Sequence, residues 1–115
     1  ANITLSVEGP EGFTLEGSSS MKHISRDPLE LVQHCAGSHH QYPDGLMLFL
    51  GTMFSPIQDR DEPGQGFTHK VGDIVYIQTP LLGSLINRVN TCDQIPPWTF
   101  GTGALMRNLA QRGLL

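Results

Sequence analysis

The sequence predicts a mainly β, α+β fold with one short internal helix and a C-terminal helix. Three observations carry this. Apolar residues alternate with polar ones at Ile3, Leu5 and Val7 and again at Phe13 and Leu15, the period of a half-buried strand. The 13 glycines and 8 prolines are roughly 18% of the chain, against roughly 12% in average usage, so turns are frequent. Only residues 27–37 and 99–113 carry helix signals.

The elements follow in order. Residues 3–7 form a strand, and Glu8-Gly9-Pro10-Glu11-Gly12 is turn chemistry, Gly supplying positive φ and Pro a fixed φ. Residues 13–15 alternate again and complete a hairpin. Residues 17–20 read as a small polar loop. Asp27 suits the N-cap of a short helix, Pro28 its first position, and Glu30 the acidic partner of a capping box. Leu29, Val32 and Cys35 share a face, and Gly37 is a natural stop. Residues 46–50 are apolar throughout and bounded by Gly45 and Gly51, which predicts a central strand buried on both faces. Residues 53–70 form a loop longer than the usual limit of about 12–15 residues, hence functional or disordered. Residues 74–79 and 84–89 form a second hairpin about a turn at 80–83. In the last helix Leu105, Met106 and Leu109 share a face, with Arg107 and Arg112 placed toward the favourable C-terminal end.

A chain of 115 residues suits one domain and buries about two-thirds of its unfolded surface. The longest apolar run is Leu46-Met47-Leu48-Phe49-Leu50, far short of the roughly 20 residues a spanning helix needs. A net charge of −4 leaves no basic footprint for DNA or RNA. Charged residues are 16%, against about 25% in ordinary domains, so much of the surface is expected to face something else. The chain opens on Ala1 directly in a strand, and the expectation is a fragment or processed chain. Cys35 and Cys92 are too few for a disulfide framework and are expected as reduced, buried thiols. No targeting segment is visible, which points to the cytoplasm.

Candidate chemistry is sparse. Gly51-Thr52, at the end of the expected central strand, offers a close backbone approach, an N–H and a hydroxyl to a ligand; the ordinary reading is a strand-ending turn. Asp59-Arg60-Asp61-Glu62 could form a metal-binding or acid/base loop, but the ordinary reading, a solvated loop, is preferred, and calcium-loop spacing is absent. His34, His39 and His40 lack the spacing of a zinc site. His69 stands where it could touch a ligand. Ser18, Ser19 and Ser20 lack a nucleophile elbow. Lys22 and Lys70 are the only lysines, and neither has a demonstrable desolvated setting. Trp98 and Phe100 read as a hydrophobic anchor for the tail.

Several stretches, in order, resemble the C-terminal part of the fumarylacetoacetate hydrolase family. Residues 3–9, Ile-Thr-Leu-Ser-Val-Glu-Gly, resemble the strand that opens this part of the family domain. Residues 15–21, Leu-Glu-Gly-Ser-Ser-Ser-Met, resemble its Gly-Asn-Thr-Ser-x-Met stretch, with Ser18 for Asn, Ser19 for Thr and one residue missing before Met21. Residues 43–52 resemble the strand leading to the family's Gly-Thr-Pro; Gly51-Thr52 is kept and Met53 replaces the proline. Val71-Gly72-Asp73-Ile74-Val75 and Leu82-Gly83-Ser84-Leu85-Ile86-Asn87-Arg88-Val89 resemble the closing pattern and are the most specific match. The resemblance covers residues 1–90. The 91–115 tail looks like a subgroup extension, similar to a bacterial branch associated with sugar-acid metabolism.

The resemblance implies that residues 1–115 are one segment, the C-terminal part of a larger catalytic domain, folded as a mixed, mostly antiparallel β-roll. It implies an enzyme acting on 2-oxoacids or diketo acids: a C–C hydrolase, decarboxylase, isomerase or sugar-acid dehydratase. Such enzymes hold Mg²⁺ or Mn²⁺ on a Glu-x-Glu pair and an Asp, and the metal polarises substrate oxygens. Glutamates stand here at 8, 11, 16, 30 and 62, so that pair is absent. No metal is expected on this segment, no catalytic residue is assigned, and the isolated segment is expected to be inactive. Gly51, Thr52 and Ser19 are the expected substrate-binding residues. The expected partners are the oxoacid, the remainder of the catalytic domain and a second copy in a homodimer. The alternative is a non-catalytic β-rich assembly or ligand-binding module.

Overall fold

The two alternating segments at the N-terminus fold as strands β1 (Asn2–Glu8) and β2 (Thr14–Ser20). The turn between them closes where the Gly9 N–H donates to Phe13 O at 2.8 Å, and Gly12 takes φ 80°, which a side chain would oppose. The second hairpin joins β3 (Ile74–Thr79) to β4 (Gly83–Arg88). Two α-helices complete the fold, α1 (Pro28–Cys35) and α2 (Thr102–Gln111), with a short 3₁₀ turn at Met21–His23. The computed structural model describes residues 1–115.

The four strands form one sheet in the order β2-β1-β3-β4, and every pairing is antiparallel. The α+β, mainly β class therefore holds, without the parallel pairing that a mixed sheet requires. Register sorts the side chains by chemistry, because alternate residues share a face. Val7 lies opposite Leu15 and Val75, Leu5 opposite Gly17 and Ile77, and Ile77 opposite Leu85, which makes one face apolar. Ser6 lies opposite Glu16 and Tyr76, and Thr4 opposite Ser18 and Gln78, on the polar face. Tyr76 Oη donates there to Glu8 Oε2 at 3.3 Å.

Val7, Leu15 and Asp73 are the fully buried residues. The first two meet across strands, and burying each such side chain contributes about 1.5–3 kcal/mol. Much of the remaining apolar surface stays open. The accessible area is 9495 Å² for a 12.6 kDa chain, where a compact fold of that mass exposes about 6,200 Å². The radius of gyration is 18.6 Å, against about 13 Å for a compact chain of this length. The expected burial of two-thirds of the surface is thus not reached.

Several expectations change. Residues 17–20 are not a loop but the second half of β2: Ser18, Ser19 and Ser20 pair with Thr4, Ile3 and Asn2, and the ladder overrides their weak strand preference. Residues 46–50 are not a buried strand. They enter no ladder, and Met47 and Phe49 are 84% and 88% exposed. A strand exists only beside a neighbour, and neither sheet edge pairs with this segment, so four strands stand where five were expected.

Asp27 caps α1 as expected, its Oδ1 accepting the Leu29 N–H at 2.7 Å. Glu30 does not reach back; it pairs with Arg26 Nη2 at 2.7 Å. Helix α2 is shorter than residues 99–113, which leaves Arg107 mid-helix and Arg112 as the C-cap. Trp98 is 87% exposed and anchors nothing; its Nε1–H donates to Phe100 O at 2.8 Å. Both thiols are free, but Cys35 is only half-buried and Cys92 is exposed. No helix is long and apolar enough to cross a membrane.

Candidate functional site

The apolar face of the sheet becomes a cavity of about 340 Å³ where the long loop crosses it. Ile3, Leu5, Val7 and Ile77 form the floor, and Ser18 and Ser19 stand at the edge strand. Gly51, Thr52, Phe54 and Pro56 make one wall, and Phe67 and His69 complete the lining. Gly17 makes this possible, since a Cβ there would lie 2.3 Å from the Phe54 ring. The ring therefore rests on bare backbone and brings residues 51–56 over the floor.

The resemblance-derived residues Gly51, Thr52 and Ser19 are brought together at this cavity. Ser19 Oγ accepts the Met53 N–H at 3.3 Å, so it also ties the loop to the edge of β2. The Thr52 hydroxyl closes a local turn, accepting the Phe54 N–H at 3.2 Å and donating to Phe54 O at 3.2 Å. Gly51 takes φ 77° with open space where a Cβ would stand, so its backbone is both special and approachable.

The stretch 59–62 departs most from its ordinary reading. Arg60 is not solvated: its side chain is 2% exposed and grips Asp73, itself 0% exposed. Nη1 donates to Oδ2 at 2.6 Å and Nη2 to Oδ1 at 2.7 Å, the two-pronged geometry guanidinium favours. Gly9 leaves room for it, since a Cβ there would be 2.6 Å from Arg60 Nη2. The guanidinium carbon also lies 4.5 Å from the centroid of the Phe13 ring. Phe13 stacks on Phe67, and Phe67 meets His69 edge-on with centroids 4.8 Å apart. The circuit closes where His69 Nδ1 lies 3.3 Å from Asp73 Oδ2.

Charge follows from these contacts. The Arg60 hydrogen bonds hold Asp73 far below the usual carboxylate range, against the opposing effect of burial. The same bonds raise Arg60 above its ordinary value. Asp59 is lowered by the N–H groups of Gly64 and Gly66, which reach it at 2.8 and 2.7 Å and give the long loop an internal frame. Lys70 pairs with Asp61 and Glu11, and both bonds raise it.

His69, flagged in the sequence, thus belongs to the cavity, whereas His34 pairs with Glu30 on α1. Sequence reasoning missed the roles of Arg60, Asp73, Gly17 and Phe54. The His69/Asp73 spacing of four was visible, but the pairing of Arg60 with Asp73 has no periodic signature. No three His, Cys, Asp or Glu side chains converge to hold a metal ion. The cavity offers one imidazole, hydroxyls and backbone groups, not the oxygen cage of Mg²⁺. Such a site can seat a small ligand with an apolar chain and a polar end. The chain matches no protein-family model, no curated protein and no solved structure.

Proposed function

We propose that this chain is the C-terminal portion of a divalent-metal-dependent enzyme acting on 2-oxoacids or diketo acids, of the fumarylacetoacetate hydrolase type. The supporting observation is the meeting of Ser19 with Gly51 and Thr52, distant in sequence and singled out by the resemblance, on one cavity. In this reading the apolar floor takes the carbon chain of the substrate. The Gly51 backbone takes its carboxylate or oxo group, and the Thr52 hydroxyl joins it by turning its hydrogen from Phe54 O to the substrate oxygen. The all-antiparallel sheet is one part of the family's β-roll, and the enzyme is a cytoplasmic dimer.

In this reading Mg²⁺ or Mn²⁺ belongs to the remainder of the catalytic domain, because the resemblance places the Glu-x-Glu pair and the Asp outside these residues. There it supplies Lewis-acid polarisation of the substrate oxygens. The uncovered apolar area favours such a remainder over a self-sufficient module.

The test is turnover of an acylpyruvate and 2-oxoacid panel by the intact protein, with Mg²⁺ and after chelation. Metal-dependent turnover is expected, and Thr52→Val should lower kcat/KM about 5- to 150-fold, matching about 1–3 kcal/mol for an unpaired contact. No turnover of any panel member defeats the reading. Unchanged kinetics in Thr52→Val remove that residue from the site.

A further inference from the structure

We propose that His69 is the proton-transfer residue of the cavity, with Asp73 as the positioning carboxylate that fixes its tautomer. The inference rests on the oxoacid reading for its substrate. Asp73 Oδ2 accepts from Arg60 Nη1 at 2.6 Å and from the Lys70 N–H at 3.0 Å, and His69 Nδ1 approaches it at 3.3 Å. A carboxylate held ionised has no hydrogen to give, so Nδ1 must be the donor. The neutral ring then carries its lone pair on Nε2, which has no hydrogen-bond partner in the chain. The imidazole is 43% exposed and lines the same cavity as Thr52 and Ser19. Phe67 packs against the ring, and the buried Arg60–Asp73 pair fixes the carboxylate, so the imidazole is held at both its edge and its nitrogen.

The step is a proton abstraction. Nε2 takes a hydrogen from C3 of a bound 2-oxoacid. The electron pair of the C3–H bond becomes the second bond of C2=C3, and the C2 oxygen takes the negative charge. The imidazolium so formed faces Asp73, the arrangement that makes an Asp–His pair an effective base.

The test uses the intact protein and 2-oxobutyrate in D₂O, following loss of the C3 hydrogen signal by NMR and binding by titration of the same probe. His69→Asn keeps an amide N–H for Asp73 and removes the Nε2 lone pair. Exchange should fall about 10²- to 10⁴-fold while affinity for 2-oxobutyrate changes less than about threefold. Equal exchange by wild type and variant overturns the inference and leaves the oxoacid reading intact. Failure of the wild type to bind 2-oxobutyrate overturns both. A ¹⁵N spectrum placing the hydrogen of neutral His69 on Nε2 overturns the inference alone.

Discussion

Arg60 and Asp73 meet through two parallel hydrogen bonds of 2.6 and 2.7 Å inside a chain that buries almost nothing else. The pair joins the β1–β2 turn, the long loop and the start of β3. Its partners are therefore the positions where a change in charge should matter most.

Asp73→Asn leaves a buried guanidinium facing a neutral amide. Removing one member of such a pair typically costs about 3–5 kcal/mol. Chemical denaturation of the intact protein should show a loss of that size. A loss below about 1 kcal/mol would mean that water reaches Arg60 and that the pair is not sealed.

Acid should act on the same pair. Asp73 is depressed in the folded state, so its contribution is complete above the ordinary carboxylate value of about 4. Below that pH the unfolded chain binds a proton that the folded chain resists, and stability falls as pH falls. Melting temperature should therefore hold from pH 8 to 5 as far as this group decides it, and drop steeply below 4. In Asp73→Asn the drop should be shallower. Parallel wild-type and variant curves below pH 4 would assign the acid sensitivity to other carboxylates.

Gly17→Ala places a Cβ 2.3 Å from the Phe54 ring, so the ring must move off the strand. The expected cost is about 1–3 kcal/mol, the range for overpacking, together with weaker ligand binding. Phe54→Leu in the same background should restore part of the stability, giving a coupling energy in a double-mutant cycle. Additive effects would show that the ring does not rest on Gly17.

The hairpins, the helix start at Asp27 and the C-terminal helix were legible because each is written in local chemistry: alternation, turn residues and caps. Residues 46–50 misled because an unbroken apolar run reports avoidance of water, not the presence of a neighbouring strand. Ser18–Ser20 misled in the opposite sense, since short polar residues look like a loop until a partner strand claims their backbone. Of the site, Gly51, Thr52 and Ser19 were reached through resemblance, and His69 only as a neighbour of a strand. Arg60 was hidden: a lone cation among three carboxylates reads as solvent-facing, and the Gly9 gap and Phe13 ring that shelter it lie far away in sequence.

The strand order has a consequence for how the chain reaches its native state. Each hairpin closes a short turn, but the central pairing sets Thr4 against Gln78 and Val7 against Val75. Two ribbons can thus form within microseconds, after which they must find a common register across a long tether. Closure entropy grows only slowly with tether length, about 0.6 kcal/mol per doubling, so the intervening segment sets the speed of assembly far more than its final stability. Until the ribbons dock, the guanidinium of Arg60 remains hydrated, and the cavity has no floor.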